Sequence, residues 1–123
     1  MPEPEVREAL SKGGVIDITT TGRKTGQARR IEIAFHNLDG RIYISGMPRP
    51  QKRSWLAHLE ANPQFAFHLK QDVKANLAAV ARPVNDATER RQVLEKVARV
   101  WKRDDIDEMV RHSPLVEVTI EEA

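Results

Sequence analysis

Ile31-Glu32-Ile33-Ala34-Phe35-His36-Asn37-Leu38-Asp39-Gly40-Arg41-Ile42-Tyr43-Ile44-Ser45 is the stretch that decides the fold of this chain. Ile31, Ile33 and Phe35 alternate with Glu32, Ala34 and His36, which is the period-two pattern of a half-buried strand. Asn37 to Gly40 is a turn with the Asp-Gly signature of a hairpin, and Arg41 to Ser45 returns as the partner strand. No crossover helix separates the two runs, so they pair antiparallel.

Further strands follow on both sides. Val15 to Thr20 is β-branched; Phe65, Phe67 and Leu69 alternate; Val73 to Val84 is a longer strand ended near Pro83; Leu115 to Ile120 closes the chain. Helices fall between some of them. Val6 to Ser11 is a short helix that Gly13-Gly14 ends. Gln51 to Ala61 is a helix with Trp55, Leu56 and Leu59 inward, stopped at Asn62-Pro63. Asp86-Ala87-Thr88-Glu89 has the form of a capping box, and the helix after it puts Val93, Val97, Val100 and Trp101 inward. Asp104 to Arg111 is one more short helix. Antiparallel runs interrupted by helices predict a mainly β, α+β fold: a small barrel of about six strands, with helices packed at its openings.

The length of 123 residues predicts one domain over 1–123, with an N-terminal helical segment at 1–14 and the barrel at 15–120. There is no cysteine, which rules out disulfides, thiolate metal sites and a cysteine nucleophile. No apolar run approaches the ~18 residues of a membrane span. The acidic N-terminus lacks a signal-peptide pattern, so the expected location is the cytoplasm, or the membrane periphery.

Charge is unevenly spread. From Ile18 to His58 eight cations stand against two acids, whereas the whole chain is only +2. Much of the excess lies in Thr19-Thr20-Thr21-Gly22-Arg23-Lys24-Thr25-Gly26-Gln27-Ala28-Arg29-Arg30, a run of hydroxyls, glycines and cations that suits a loop wrapping an anion. Arg49, Lys52 and Arg53 form a second cluster beside Trp55. A polyanionic ligand between the two clusters is the expectation.

Other chemistries find less support. The glycine loop is no nucleotide-hydrolysing P-loop, because Gly22 is followed by Arg23, Asp17 stands where the upstream glycine belongs, and a strand follows. His36, His58, His68 and His112 have no metal-ligand spacing, so no metal is expected. His36 and His68 sit at the polar phase of their strands, which predicts surface histidines. No serine has a nucleophile-elbow context. The basic segment lacks the interleaved aromatics of single-strand binders, so no nucleic acid is expected either. Tyr43 and Ser45 share one strand face: it lines a pocket, or it faces solvent while Ile42 and Ile44 face the core.

Together these residues resemble the deazaflavin-dependent nitroreductase family, split β-barrel oxidoreductases of FMN-binding-like fold that use coenzyme F420. Three stretches carry the resemblance: Thr19 to Arg29; Asp39 to Gly46 with Trp55 to Pro63; and Ala81-Arg82-Pro83-Val84 with Asp86 and Glu89-Arg90. It spans roughly Val15 to Ile120. By that resemblance, Arg23, Lys24, Thr25, Gly26 and Arg29 would hold the cofactor phosphate and adjoining groups. Ser45, Gly46 and Met47 would border the deazaflavin ring, and Lys52, Arg53 and Trp55 would flank the phosphate or the oligoglutamate tail. The implied reaction is hydride transfer from the reduced deazaflavin to an electron-poor small molecule, such as a quinone, enone or nitro compound, with Tyr43 or Ser45 as candidate catalytic donors. The alternatives are a barrel of this fold holding FMN, haem or another anionic cofactor, with or without turnover, and, less favoured, a basic nucleic-acid module. The expected state is monomer or homodimer. Two departures stand out: Gly46-Met47-Pro48-Arg49-Pro50 is stiffer and more basic than the family's glycine-rich loop, and Tyr43 is the only tyrosine.

Overall fold

The computed structural model describes residues 3–22, 26–51 and 53–121. In chain order the elements are α1 (Pro4–Lys12), β1 (Gly14–Thr21), β2 (Ala28–Leu38), β3 (Arg41–Ser45), α2 (Ser54–Ala61), β4 (Gln64–Lys70), β5 (Lys74–Pro83), α3 (Ala87–Trp101), α4 (Ile106–His112) and β6 (Leu115–Ile120). The strands form a closed antiparallel barrel in the order β1-β2-β3-β6-β5-β4, and β4 pairs back onto β1. Closure is partial along the strands: the first half of β2 pairs with β1 alone, and the first half of β5 with β4 alone.

The β2–β3 hairpin is tighter than the sequence predicts. Leu38 still pairs with Arg41, so the turn is Asp39-Gly40 alone. Both turn residues have positive φ, 56° and 88°, as two-residue loops that match strand twist require. Asn37 belongs to the strand and braces the turn: its Oδ1 accepts from the Gly40 amide at 3.0 Å, while its Nδ2 donates to the Leu10 carbonyl at 3.1 Å.

Strand alternation sorts side chains into two cores. Ile16, Ile18, Phe35, Ile44, Phe67 and Val116 fill the barrel, where Phe35 and Phe67 meet edge to face at 5.2 Å. Leu10 of α1 and Trp55 and Leu59 of α2 reach into the same core. On the outside, Tyr43 of β3 and Leu115 of β6 pack with Val93, Leu94 and Val97 of α3 and Met109 of α4. Two helices thus serve the barrel interior, and two cover its outer wall.

The helices depart from the predicted faces and ends. α3 buries Val93, Leu94, Val97 and Ala98, whereas Val100 is 60% exposed. Its start is fixed by Asp86, whose side chain accepts from the Glu89 amide, and Arg82 donates to both Glu89 on α3 and Glu117 on β6. The buried stripe accordingly runs through Leu94 and Ala98, and Val100 faces away from the barrel. α2 starts at Ser54 instead of Gln51, because Arg53 is still extended, with φ −75° and ψ 143°.

Both strand histidines are buried, contrary to the surface placement expected. His68 is satisfied on both ring nitrogens: Nδ1 donates to Asn76 Oδ1 at 2.6 Å, and the Thr19 hydroxyl meets Nε2 at 2.8 Å. His36 packs against Trp101 with ring centroids 5.0 Å apart, and its Nε2 has no hydrogen-bond partner among the described residues. The outer face is polar by pattern, yet α3 and neighbouring strands cover it.

Leu94 is fully buried between α3 and the barrel wall. Leu94→Ala is expected to cost about 3 kcal/mol of unfolding free energy, read from the denaturant midpoint. Burial holds the His36 imidazole below its usual pKa of 6.5. The unfolded chain therefore takes up this proton first as pH falls, so stability contributed by His36 is full above about pH 6.5 and declines on acidification below it. Denaturation at pH 7 and pH 5 should show a smaller drop for His36→Leu than for the parent chain.

Candidate functional site

Among the described residues, Arg29 of the first basic cluster and Arg49 and Arg53 of the second meet at one end of the barrel. Inward residues of β1 run Ile16, Ile18, Thr20, and α2 lies across the end where Thr20 emerges. There Thr20 Oγ1 and His58 Nδ1 are hydrogen-bonded at 3.1 Å. Around this pair Arg29, Arg49, Arg53 and Trp55 line a cleft of about 460 Å³. Arg29 comes from the start of β2, Arg49 and Arg53 from the loop after β3, and Trp55 from the first turn of α2. Trp55 is both a core residue and a wall of the cleft.

The electrostatics are one-sided. Among the described residues, Arg29, Arg49 and Arg53 have no carboxylate partner. Glu32, which also borders the cleft, is ion-paired with Lys70. Arg53 Nη2 donates to the Met47 carbonyl, and Arg49 Nε donates to the Gln51 carbonyl at 3.3 Å. Burial, with the Arg49 charge added, pushes the Arg53 guanidinium below its usual pKa. A partly desolvated Arg53 with the exposed Arg49 beside it, each with a carbonyl acceptor and no carboxylate among the described residues, favours an incoming anion.

The sequence-predicted residues are distributed as follows. Arg29, Arg53 and Trp55 line the cleft together. Arg23, Lys24, Thr25 and Lys52 lie outside the described residues. Gly26 sits at the β1–β2 hairpin tip, where its amide donates to the Gly22 carbonyl at 2.9 Å while the Gly22 amide donates to Gln27 at 2.8 Å. Those two amides close the loop itself. Met47 is exposed; its sulfur accepts from Arg103 Nη1 at 2.9 Å and its carbonyl from Arg53. Gly46 lies where a Cβ would come within 3.1 Å of the Pro114 ring and 3.4 Å of the Arg53 guanidinium, so the chain passes closely there. Ser45 is buried and donates to the Pro114 carbonyl at 2.9 Å. Tyr43 is buried in the outer core against α3 and α4.

Thr20 and His58 were not among the expected site residues. They stand 38 positions apart in the chain. Thr20 reads as one hydroxyl of a polar run and His58 as an isolated histidine; only the packing of α2 on β1 joins them. Arg49 carried a signal, its place in the second cationic cluster.

Solved structures support the architecture. A heme storage protein, HutZ of Vibrio cholerae, is 18% identical with a TM-score of 0.70, covering 98% of this chain and 91% of its own. A conserved hypothetical protein of Mycobacterium tuberculosis is 18% identical with a TM-score of 0.73, covering 99% and 82%. An F420-H2 dependent reductase, FDR-A, is 20% identical with a TM-score of 0.61, covering 85% and 93%. At these identities the likeness speaks for the fold. The chain itself is matched by a family model described as F420H(2)-dependent quinone reductase over residues 3–122. An anion-seeking cleft at the end of a small barrel therefore has its family: the chain belongs to the F420H(2)-dependent quinone reductases, oxidoreductases that act with this deazaflavin on a small-molecule acceptor.

Proposed function

We propose that the cleft bounded by Arg29, Arg49, Arg53 and Trp55 holds the phosphate-bearing part of coenzyme F420, and that the acceptor is an electron-poor quinone, enone or nitro compound. The observation that carries this reading is the convergence of three guanidinium groups without carboxylate partners, among the described residues, on one cleft. The donor set fits the group. Guanidinium forks and the Ser54 and Thr20 hydroxyls suit phosphate and carboxylate oxygens, and the indole of Trp55 gives an apolar wall for an adjoining aromatic. When bound, the reduced deazaflavin supplies a hydride equivalent to the acceptor.

The chain's own residues bind and orient. Arg53 is pre-set by its bond to the Met47 carbonyl, so little rotamer freedom remains to be lost on binding. Arg29 adds charge from the start of β2 and Arg49 from the loop after β3. Thr20 fixes the ring of His58 at the cleft wall. Ile31 and Trp55 keep the inner side apolar and exclude water. The Ser45 hydroxyl proton is held by the Pro114 carbonyl and Tyr43 is packed under α3, so this reading gives neither a catalytic role.

Fluorescence titration with oxidised coenzyme F420, and with FMN in parallel, at two salt concentrations tests the reading. The deazaflavin should bind more tightly than FMN and lose affinity as salt rises. Arg29→Ala combined with Arg53→Ala should weaken it roughly tenfold to a hundredfold, as expected when charge-assisted hydrogen bonds are lost, and flatten the salt dependence. Equal affinity in the double variant, or preference for FMN, would overturn the assignment. In steady-state assays, Ser45→Ala should keep most of the parent turnover with a quinone acceptor.

A further inference from the structure

The outer wall formed by β1, β4 and β5 lies across the barrel from the wall that α3 and α4 cover. Strand register lays two rows of side chains over it. In one row Thr19 stands between Arg30 of β2 and Ala66 of β4, and Ala66 stands beside Ala78 of β5. In the next row Asp17 stands between Glu32 and His68, and His68 stands beside Asn76. Directly paired residues share a face, and so do residues two apart on one strand, so both rows point outward together.

Three of these groups are hydrogen-bonded in series. Asn76 Oδ1 accepts from His68 Nδ1 at 2.6 Å, so that nitrogen carries the ring proton and Nε2 is left as an acceptor. Thr19 Oγ1 lies 2.8 Å from Nε2 and donates to it. A hydroxyl on an imidazole, itself held by a third group, is the order of nucleophile, base and orienter. His68 is buried, which fixes the ring, while Thr19 is half-buried and within reach of solvent. The other threonine–histidine pair lacks this arrangement: Thr20 is fully buried, it meets His58 at Nδ1, and no third group orients that ring among the described residues. Two neighbours complete the setting. Arg30, directly across from Thr19, donates through Nε to Asp17 at 2.9 Å, and its Nη groups carry no hydrogen bond among the described residues. They offer charge to an oxyanion forming beside Thr19. Ala66 and Ala78 are short, which leaves a shallow trough next to the hydroxyl, suited to a small acyl group. Asp17 is occupied by Lys70 and Arg30 and does not compete for the imidazole.

We propose that Thr19 is a nucleophile toward small activated acyl groups, which gives this chain an acyl-transfer site separate from its reductase chemistry. The substrate class is an acetyl-sized ester or thioester with a good leaving group. Thr19 Oγ attacks the carbonyl carbon and its proton passes to His68 Nε2. The bond from that carbon to the leaving oxygen or sulfur breaks, the leaving group takes the proton from His68, and the acyl group stays on Thr19 as an ester. Water, deprotonated by the same nitrogen, then releases the carboxylic acid and restores the hydroxyl. No electron changes hands and no deazaflavin takes part, so this activity stands or falls independently of the cofactor cleft.

The test is brief exposure of the cofactor-free protein to p-nitrophenyl acetate, followed by acid quench, tryptic digestion and fragmentation of the peptide from Gly13 to Arg23. That peptide carries Thr19, Thr20 and the exposed Thr21, so it holds its own controls. The acetyl group should sit on Thr19 and be scarce on the other two. His68→Gln should slow labelling of Thr19 roughly a hundredfold, as expected when a general base is lost, and Asn76→Ala roughly tenfold. Thr19→Val should abolish labelling of the peptide, whereas Thr19→Ser, which keeps the hydroxyl, should retain it; melting curves confirm that each variant is folded. Should Thr19→Val fail to fold, the distribution of acetyl in the parent chain and the Thr19→Ser variant still decide the matter. Labelling of Thr21 as fast as Thr19, acetyl confined to lysines, or an unchanged rate in folded His68→Gln would overturn the proposal.

Discussion

Everything in this molecule hangs on β1 pairing along both of its edges. β2 takes one side over its full length and β4 takes the other from Thr19 to Ile16, which closes the sheet into a barrel. Once closed, period-two alternation has only one possible sorting: Ile16, Ile18 and Thr20 go in, while Asp17 and Thr19 go out. The interior is sealed by apolar side chains until Thr20. There the run turns polar at the end of the barrel, and α2 lays His58 against it. The proposed cofactor cleft thus lies where the barrel's apolar packing stops and its last inward hydroxyl meets α2.

The outer wall follows the same rule with a different outcome. Tyr43 and His36 sit on the polar phase of β3 and β2, but Tyr43 packs with α3 and α4 and His36 against Trp101 of α3, so the outward face becomes a second core. Arg82, bridging Glu89 and Glu117, and Arg90, holding the carbonyls of the α4 end, fix those helices from the side and from beneath. Arg82 has carboxylate partners; Arg90 has none among the described residues. This difference leaves positive charge beside the loop after β3, and the same loop supplies Arg49 and Arg53.

Much of this was legible in the residues. Alternation and the Asp-Gly turn specify the hairpin, β-branched runs specify the strands, and the Asp86–Glu89 cap specifies the start of α3. The cationic excess between Ile18 and His58 singled out a set of residues of which Arg29, Arg53 and Trp55 do line one cleft. The buried histidines were not legible, because alternation reports one covered face and this sheet has stretches covered on both. Nor was the face of α3: Val93 and Val97 belong to the expected stripe and the observed one alike, and only docking on the barrel makes Leu94 and Ala98, not Val100, complete it.

Local periodicity, turn chemistry and composition are enough to specify the class of the fold, the β2–β3 pairing and the cationic excess of one segment. Only the tertiary structure decided which cations share a cleft, that Thr20 meets His58, that the Ser45 hydroxyl is held by Pro114, and that the Ser113 hydroxyl is left without a partner among the described residues. Those are contacts across barrel closure and helix docking. Their energies depend on distance and burial, and neither quantity exists until the chain has closed on itself.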